Sequence, residues 1–125
     1  MRAIKFRAKT KQGEWVTGYY AGHTFPDEVC ILPPQSINYD TGYINDSEWY
    51  YCMDKTLGQF TGLHDKNGRE IYEGDIISLC NKHIRCVVEW VHGGFEARHI
   101  SNSITIDLYY WRDYIAVVGN IHDNN

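Results

Sequence analysis

Any chemistry in this 125-residue chain would come from its acidic, histidine, cysteine or aromatic side chains. The densest group is acidic. Asp65, Glu70, Glu73 and Asp75 fall around two turn signals, Asp65-Lys66-Asn67-Gly68 and Glu73-Gly74-Asp75. Carboxylates brought together by a returning hairpin can hold a divalent ion or pass a proton in general acid–base work. Acidic residues also occupy turns for a plainer reason, because an Asp carboxylate accepts the turn's own backbone N–H groups. The plainer reading is preferred here.

Histidines at 23, 64, 83, 92, 99 and 122 have no ligand-like local spacing. Cys30, Cys52, Cys80 and Cys86 form no CxxC pair and have no histidine at zinc-finger distance, so reduced thiols are their simplest reading. No phosphate-binding GxxxxGKS/T loop and no HExxH helix is present. The expectation is a protein without a catalytic residue, a metal or a cofactor.

The remaining group combines rings with cations. Lys5, Arg7, Trp15, Tyr19 and Tyr20 fall on a predicted N-terminal hairpin. Rings beside cations can stack unpaired bases, each worth about 1–3 kcal/mol. The same rings suit a protein–protein interface, where Tyr and Trp are enriched. Trp49, Tyr50 and Tyr51 add a second aromatic cluster in acidic surroundings. Charge bears on the choice. Residues 1–20 carry Arg2, Lys5, Arg7, Lys9 and Lys11 against Glu14, a net +4, so the rest of the chain carries −8 of the overall −4. Lysines on an edge strand discourage unwanted pairing, which accounts for the basic segment without a ligand. A chain acidic overall favours protein contacts above nucleic acid.

The elements that must position these groups are strands. Ile4, Phe6 and Ala8 alternate with Lys5, Arg7 and Lys9, as in a strand with one buried face. Lys11-Gln12-Gly13 turns the chain into a second strand, Glu14 to Ala21. Val29 to Leu32 is a short strand stopped by Pro33-Pro34. Residues 35–55 fit either a loop bearing aromatics or a hairpin insertion, and Asp54 to Gly58 is the expected place for a helical turn. Phe60 to Leu63 and Glu70 to Tyr72 read as a hairpin closed by Asn67-Gly68, residue types that tolerate positive φ. Further strands are expected at Ile76 to Cys80, along a face of Ile84, Cys86, Val88 and Trp90, and at Phe95 to His99. The last two place Ile104, Ile106, Leu108 and Tyr110 on one face and extend from Tyr114 to Ile121. Asn81-Lys82 and His92-Gly93-Gly94 supply turns. The sum is an all-β domain spanning residues 1–125, a rolled antiparallel sheet or small barrel with at most one or two helical turns.

Three pieces of sequence resemble the YopX family of small proteins encoded by bacteriophages and prophages. They are Ile4-Lys5-Phe6-Arg7-Ala8, the block from Thr56 to Ile76, and Val118-Gly119-Asn120-Ile121. The central block carries Gly58-Gln59, Thr61-Gly62-Leu63, Asp65, Gly68, Ile71-Tyr72 and Glu73-Gly74-Asp75. The resemblance implies a mostly β protein with no catalytic residue or cofactor to carry across. On it, Gly62, Asp65, Asn67, Gly68, Glu73, Gly74 and Asp75 form a structural turn motif.

No stretch approaches the roughly 18 apolar residues of a membrane span, and the charged start lacks an apolar leader core. The expectation is a soluble protein of the bacterial cytoplasm. It acts as an accessory interaction module that self-associates or binds a phage or host protein. Single-stranded nucleic acid on the basic hairpin is the alternative, and a metal-dependent enzyme comes last.

Overall fold

The computed structural model describes residues 4–34, 40–41, 49–79, 84–102 and 104–123. All regular structure among them is β, apart from a 3₁₀ turn at Arg112–Tyr114 and the 3₁₀ residue Pro34. The chain gathers into two compact units, Met1–Gln59 and Phe60–Asn125.

In the first unit, β1 (Phe6–Thr10) forms the expected hairpin with β2 (Trp15–Phe25), Phe6 facing Gly18 and Lys9 facing Trp15. β2 pairs with β3 (Glu28–Leu32), and β3 pairs with the first part of β4 (Tyr50–His64). β4 then returns to β1, Thr10 facing Cys52 and Phe6 facing Gln59, which closes the four strands into a barrel. The alternation in residues 4–9 is only partly realised. Phe6 and Ala8 turn inward, but Ile4 lies before β1 and is 63 % exposed. Arg7, expected outside, is buried with its guanidinium over Trp15. Ala8 is fully buried with Val29, Ile31 and Cys52, and Phe6, Val16 and Leu57 pack against them.

The helical turn expected at Asp54–Gly58 is not formed; these residues lie inside β4. Met53 pairs with Lys9 on one side and Glu28 on the other, and Gly58 pairs with Arg7, so the segment is drawn into β4 from both of its ends. The register between β1 and β4 slips between Arg7 and Lys9. Thr56 bridges the slip: its hydroxyl accepts the Lys9 N–H at 2.8 Å and donates to the Met53 carbonyl at 2.6 Å. Tertiary pairing has overridden a weak local preference.

In the second unit the end of β4 pairs with β5 (Glu70–Tyr72). A five-stranded antiparallel sheet follows, built from β6 (Asp75–Leu79), β7 (Arg85–Val91), β8 (Gly94–His99), β9 (Thr105–Asp107) and β10 (Ile115–Asn120). Its spatial order is β10-β6-β7-β8-β9. Ile71, Ile77, Leu79, Cys86, Val88, Ala97, Leu108, Ile115 and Val117 make one buried cluster. Cys86 and Val88 share the inward face as expected, whereas Trp90 at the strand's far end is 48 % exposed. His92 and Gly93 have φ of 50° and 80°, the two positive values a type I′ hairpin turn demands.

The strand expected to carry Ile104, Ile106, Leu108 and Tyr110 is cut short. β9 ends at Asp107, whose carboxylate accepts the N–H groups of Tyr109 (2.9 Å) and Tyr110 (3.2 Å) and turns the chain away. Asn81-Lys82, Cys80 and His83 lie outside the described residues.

Candidate functional site

The central block of the sequence folds into two linked turns. At the first, the Asp65 N–H donates to the Arg69 carbonyl at 2.8 Å and the Gly68 N–H to the Asp65 carbonyl at 3.0 Å. This is a tight turn followed by a left-handed glycine, Gly68 having φ of 82°. Asn67 has no positive φ, so Gly68 alone takes the left-handed position. Just before the turn, β4 bulges against β5 between Phe60 and His64. Gly62, with φ of 88°, sits in that bulge. Thr61 fills the broken ladder, its hydroxyl donating to the Ile71 carbonyl at 2.8 Å and accepting the Leu63 N–H at 3.1 Å.

Asp65 is 6 % exposed and works in two directions. Its Oδ1 accepts the N–H groups of Asn67 (2.9 Å) and Arg69 (2.8 Å), and its Oδ2 accepts the N–H of Val117 in β10 (2.9 Å). Burial alone would raise the pKa of this carboxyl. The three backbone donors and the nearby Arg69 guanidinium outweigh it, so the pKa lies below the ordinary value. The Lys66 N–H donates to the Ile115 carbonyl at 3.0 Å. The turn therefore lies along the edge of β10 that β6 leaves open and occupies backbone groups that would otherwise invite another strand.

The second turn joins β5 to β6. Asp75, 1 % exposed, accepts the Tyr72 N–H at 2.8 Å, and Gly74 both donates to the Val88 carbonyl and accepts the Ile121 N–H. Glu73 is half-buried beside them, and Glu70 accepts the Tyr72 hydroxyl at 3.0 Å. The acidic group is thus distributed over backbone donors and a phenol. Among the described residues, no three His, Cys, Asp or Glu side chains are placed to hold a metal ion.

On the N-terminal hairpin, Arg7 is buried, with its guanidinium 4.6 Å from the Trp15 ring centre, and the Lys9 ammonium lies 5.7 Å from the same ring. Lys5 is half-buried. Tyr19 and Tyr20 are exposed, and Tyr20 contacts Phe6 and hydrogen-bonds His23 Nδ1 at 2.8 Å. Tyr50 and Tyr51 are also exposed. Trp49 holds its Nε1 buried without an acceptor among the described residues.

Sequence reasoning missed the aromatic turn after β9. Leu108 is buried and anchors it, while Tyr109, Tyr110 and Tyr114 are 62 %, 70 % and 57 % exposed. Trp111 packs against the core and meets Tyr110 and Tyr114 edge-on, at 5.2 and 5.9 Å between ring centres. The Arg112 guanidinium lies 4.0 Å from the Tyr109 ring centre and donates to the Tyr109 carbonyl at 2.6 Å. The available signal was Asp107, a strand-ending residue able to bond the backbone two residues on. Nearby, Glu89, Glu96 and Asp107 face one another across β7, β8 and β9, and Arg98 pairs with Glu89. Glu96 and Asp107 help line a hollow of about 370 Å³. Such a row of carboxylates repels phosphate.

The described thiols are buried. Burial pushes the pKa values of Cys30 and Cys86 up; burial, then the neighbouring Cys30, pushes that of Cys52 up to about 11. No helix among the described residues is long and apolar enough to cross a membrane.

Comparison with protein families matches residues 5–125 to the model described as YopX protein. Comparison with curated proteins finds no match. Among solved structures, the crystal structure of protein EF1440 from Enterococcus faecalis is similar, with a TM-score of 0.55 and 21% sequence identity. The match covers 98% of this chain and 95% of that one, a likeness of fold.

Proposed function

The chain belongs to the YopX family, and from that premise we propose a non-enzymatic accessory protein that binds proteins, its own copies included. The observation that carries this reading is the aromatic turn. Three tyrosines stand exposed on a segment fixed by Leu108, Trp111 and the Asp107 carboxylate. Rings held rigidly before binding lose little entropy on contact, which is why Tyr, Trp and Arg dominate the strongest points of interfaces. Its setting is a bacterial cell carrying phage or prophage genes, with a phage or host protein as a further partner. Analytical ultracentrifugation over a wide concentration range tests self-association. A pull-down from prophage-induced cells, with and without nuclease, tests for other partners. Recovery of partners only in the untreated arm would favour nucleic acid instead.

A second reading, single-stranded nucleic acid on the N-terminal hairpin, draws on Trp15 flanked by Arg7 and Lys9 beside exposed Tyr19 and Tyr20. It is the weaker one, because Arg7 is buried against Trp15 instead of being open to phosphate. Fluorescence anisotropy with labelled oligonucleotides tests it. Binding that falls steeply with added salt supports this reading, and no binding at low salt removes it.

A further inference from the structure

We infer that the aromatic turn Tyr109–Tyr114 is a two-fold symmetric interface, on which a second copy of this chain docks through the same turn. The inference rests on the self-association reading and assigns it a surface, a partner and a symmetry.

Two properties of the turn commit it to its own copy. The first is charge. A two-fold interface must be complementary to itself, so each cation needs a carboxylate on the same patch. Arg112 and Asp113 are consecutive, and Asp113 is exposed with no ion-pair partner among the described residues. Arg112 is held over the Tyr109 ring by a cation–π contact and by one bond to the Tyr109 carbonyl. A guanidinium has five N–H donors in a fixed fork, so others remain for a carboxylate. Across a two-fold axis Arg112 meets the partner's Asp113, and Asp113 meets the partner's Arg112. A patch built for a wholly basic or wholly acidic partner would carry one sign of charge.

The second property is area. An aromatic side chain buries about 150–250 Å², so the exposures of Tyr109, Tyr110 and Tyr114 leave roughly 280–470 Å² of surface per copy. A standard interface buries about 800 Å² per partner, of which roughly 57 % is apolar. The three rings supply most of that apolar share. β9 ends where the turn begins and has no strand on its outer side among the described residues, so the flanking surface is open to the partner.

The test uses sedimentation velocity on the full chain and four variants. Tyr110→Ala with Tyr114→Ala removes two rings and is expected to weaken association at least ~30-fold, the measure of a strong interface residue. Arg112→Glu and Asp113→Lys, each alone, place like charges together twice across the axis and are expected to weaken it ~10-fold or more. Mixing those two charge variants restores opposite charges at both contacts, and a heterodimer near wild-type strength is expected. The fourth variant, Val118→Ala, lies off the turn at an exposed position of β10, at the opposite edge of the sheet from β9, and is expected to associate as wild type does. Circular dichroism confirms that each variant keeps its β spectrum. Weakening without recovery in the mixture would overturn the two-fold geometry. Wild-type association untouched by all variants of the turn would overturn the assigned surface while leaving self-association standing. A wild-type chain that stays monomeric at high micromolar concentration would remove the self-association reading itself.

Discussion

Asp65 and Val117 stand 52 residues apart, yet the Asp65 carboxylate accepts the Val117 backbone N–H at 2.9 Å. The other oxygen of the same carboxylate holds Asn67 and Arg69 within its own turn. One buried side chain therefore shapes a hairpin and fastens it to the edge of β10.

Asp65→Ala is expected to cost roughly 3 kcal/mol, since a buried donor left without its acceptor costs about 1–3 kcal/mol and part of this turn can rehydrate. Asp65→Asn retains one acceptor oxygen and should lose less. Urea unfolding followed by tryptophan fluorescence gives both values. A loss below about 1 kcal/mol in the alanine variant contradicts the dual role.

Stability should fall in acid for the same reason. The folded pKa of Asp65 lies below its unfolded value, so its contribution is fully present above the ordinary carboxylate pKa of about 3.9. It is lost as pH falls through the depressed folded value, where the carboxylate is protonated. The difference in stability between wild type and Asp65→Asn should be constant near neutrality and shrink below about pH 4. A difference that grows on acidification runs against the assignment.

In the barrel, Gly18→Ala is expected to be among the most damaging single-methyl additions. An added Cβ would lie 2.4 Å from the Leu32 carbonyl oxygen and 2.9 Å from the Pro33 Cα, backbone that cannot rotate away. The expected cost is about 3 kcal/mol, at the upper end of ordinary overpacking. At Gly22 an added Cβ meets nothing within 4 Å, so Gly22→Ala carries only the cost of its positive φ. Thermal melts of the two variants should separate clearly, and equal melting points would refute the close approach of β2 and β3.

Cys30, Cys52 and Cys86 should resist alkylation in the native protein at pH 8. All three are buried with raised pKa values, so accessible thiolate is scarce. Peptide mapping after iodoacetamide reads each site separately, and denaturant should release all three. Rapid native labelling of Cys52 would show the barrel interior to be open.

The strands at either end were legible because their alternation is local. Phe6 and Ala8 announce a buried face, though Ile4, which shares their alternation, lies exposed before β1, and Gly68 announces a left-handed turn residue. The segment Asp54 to Gly58 was not legible. Its polar residues and glycine look like a turn, and only the pairing of the flanking Met53 with Lys9 and Glu28, and of Gly58 with Arg7, draws it into the strand. The aromatic turn was hidden for the opposite reason. Ile104, Ile106, Leu108 and Tyr110 continue a flawless alternation while Asp107 ends the ladder by capturing the next two N–H groups. The boundary between the two units falls between Gln59 and Phe60, inside β4, so no linker composition marks it. The capping role of Asp65 was readable from its turn, whereas its bond to Val117 depends on a partner far along the chain.

That distant bond sets an order of events during synthesis. At about 5–20 residues per second, the ribosome needs roughly 3–10 s to add the 52 residues between Asp65 and Val117. Over that interval the carboxylate has its local donors but no β10 to fasten. A nascent or prematurely terminated chain therefore carries its signature hairpin undocked, and protease sensitivity there should vanish only once the final strand arrives.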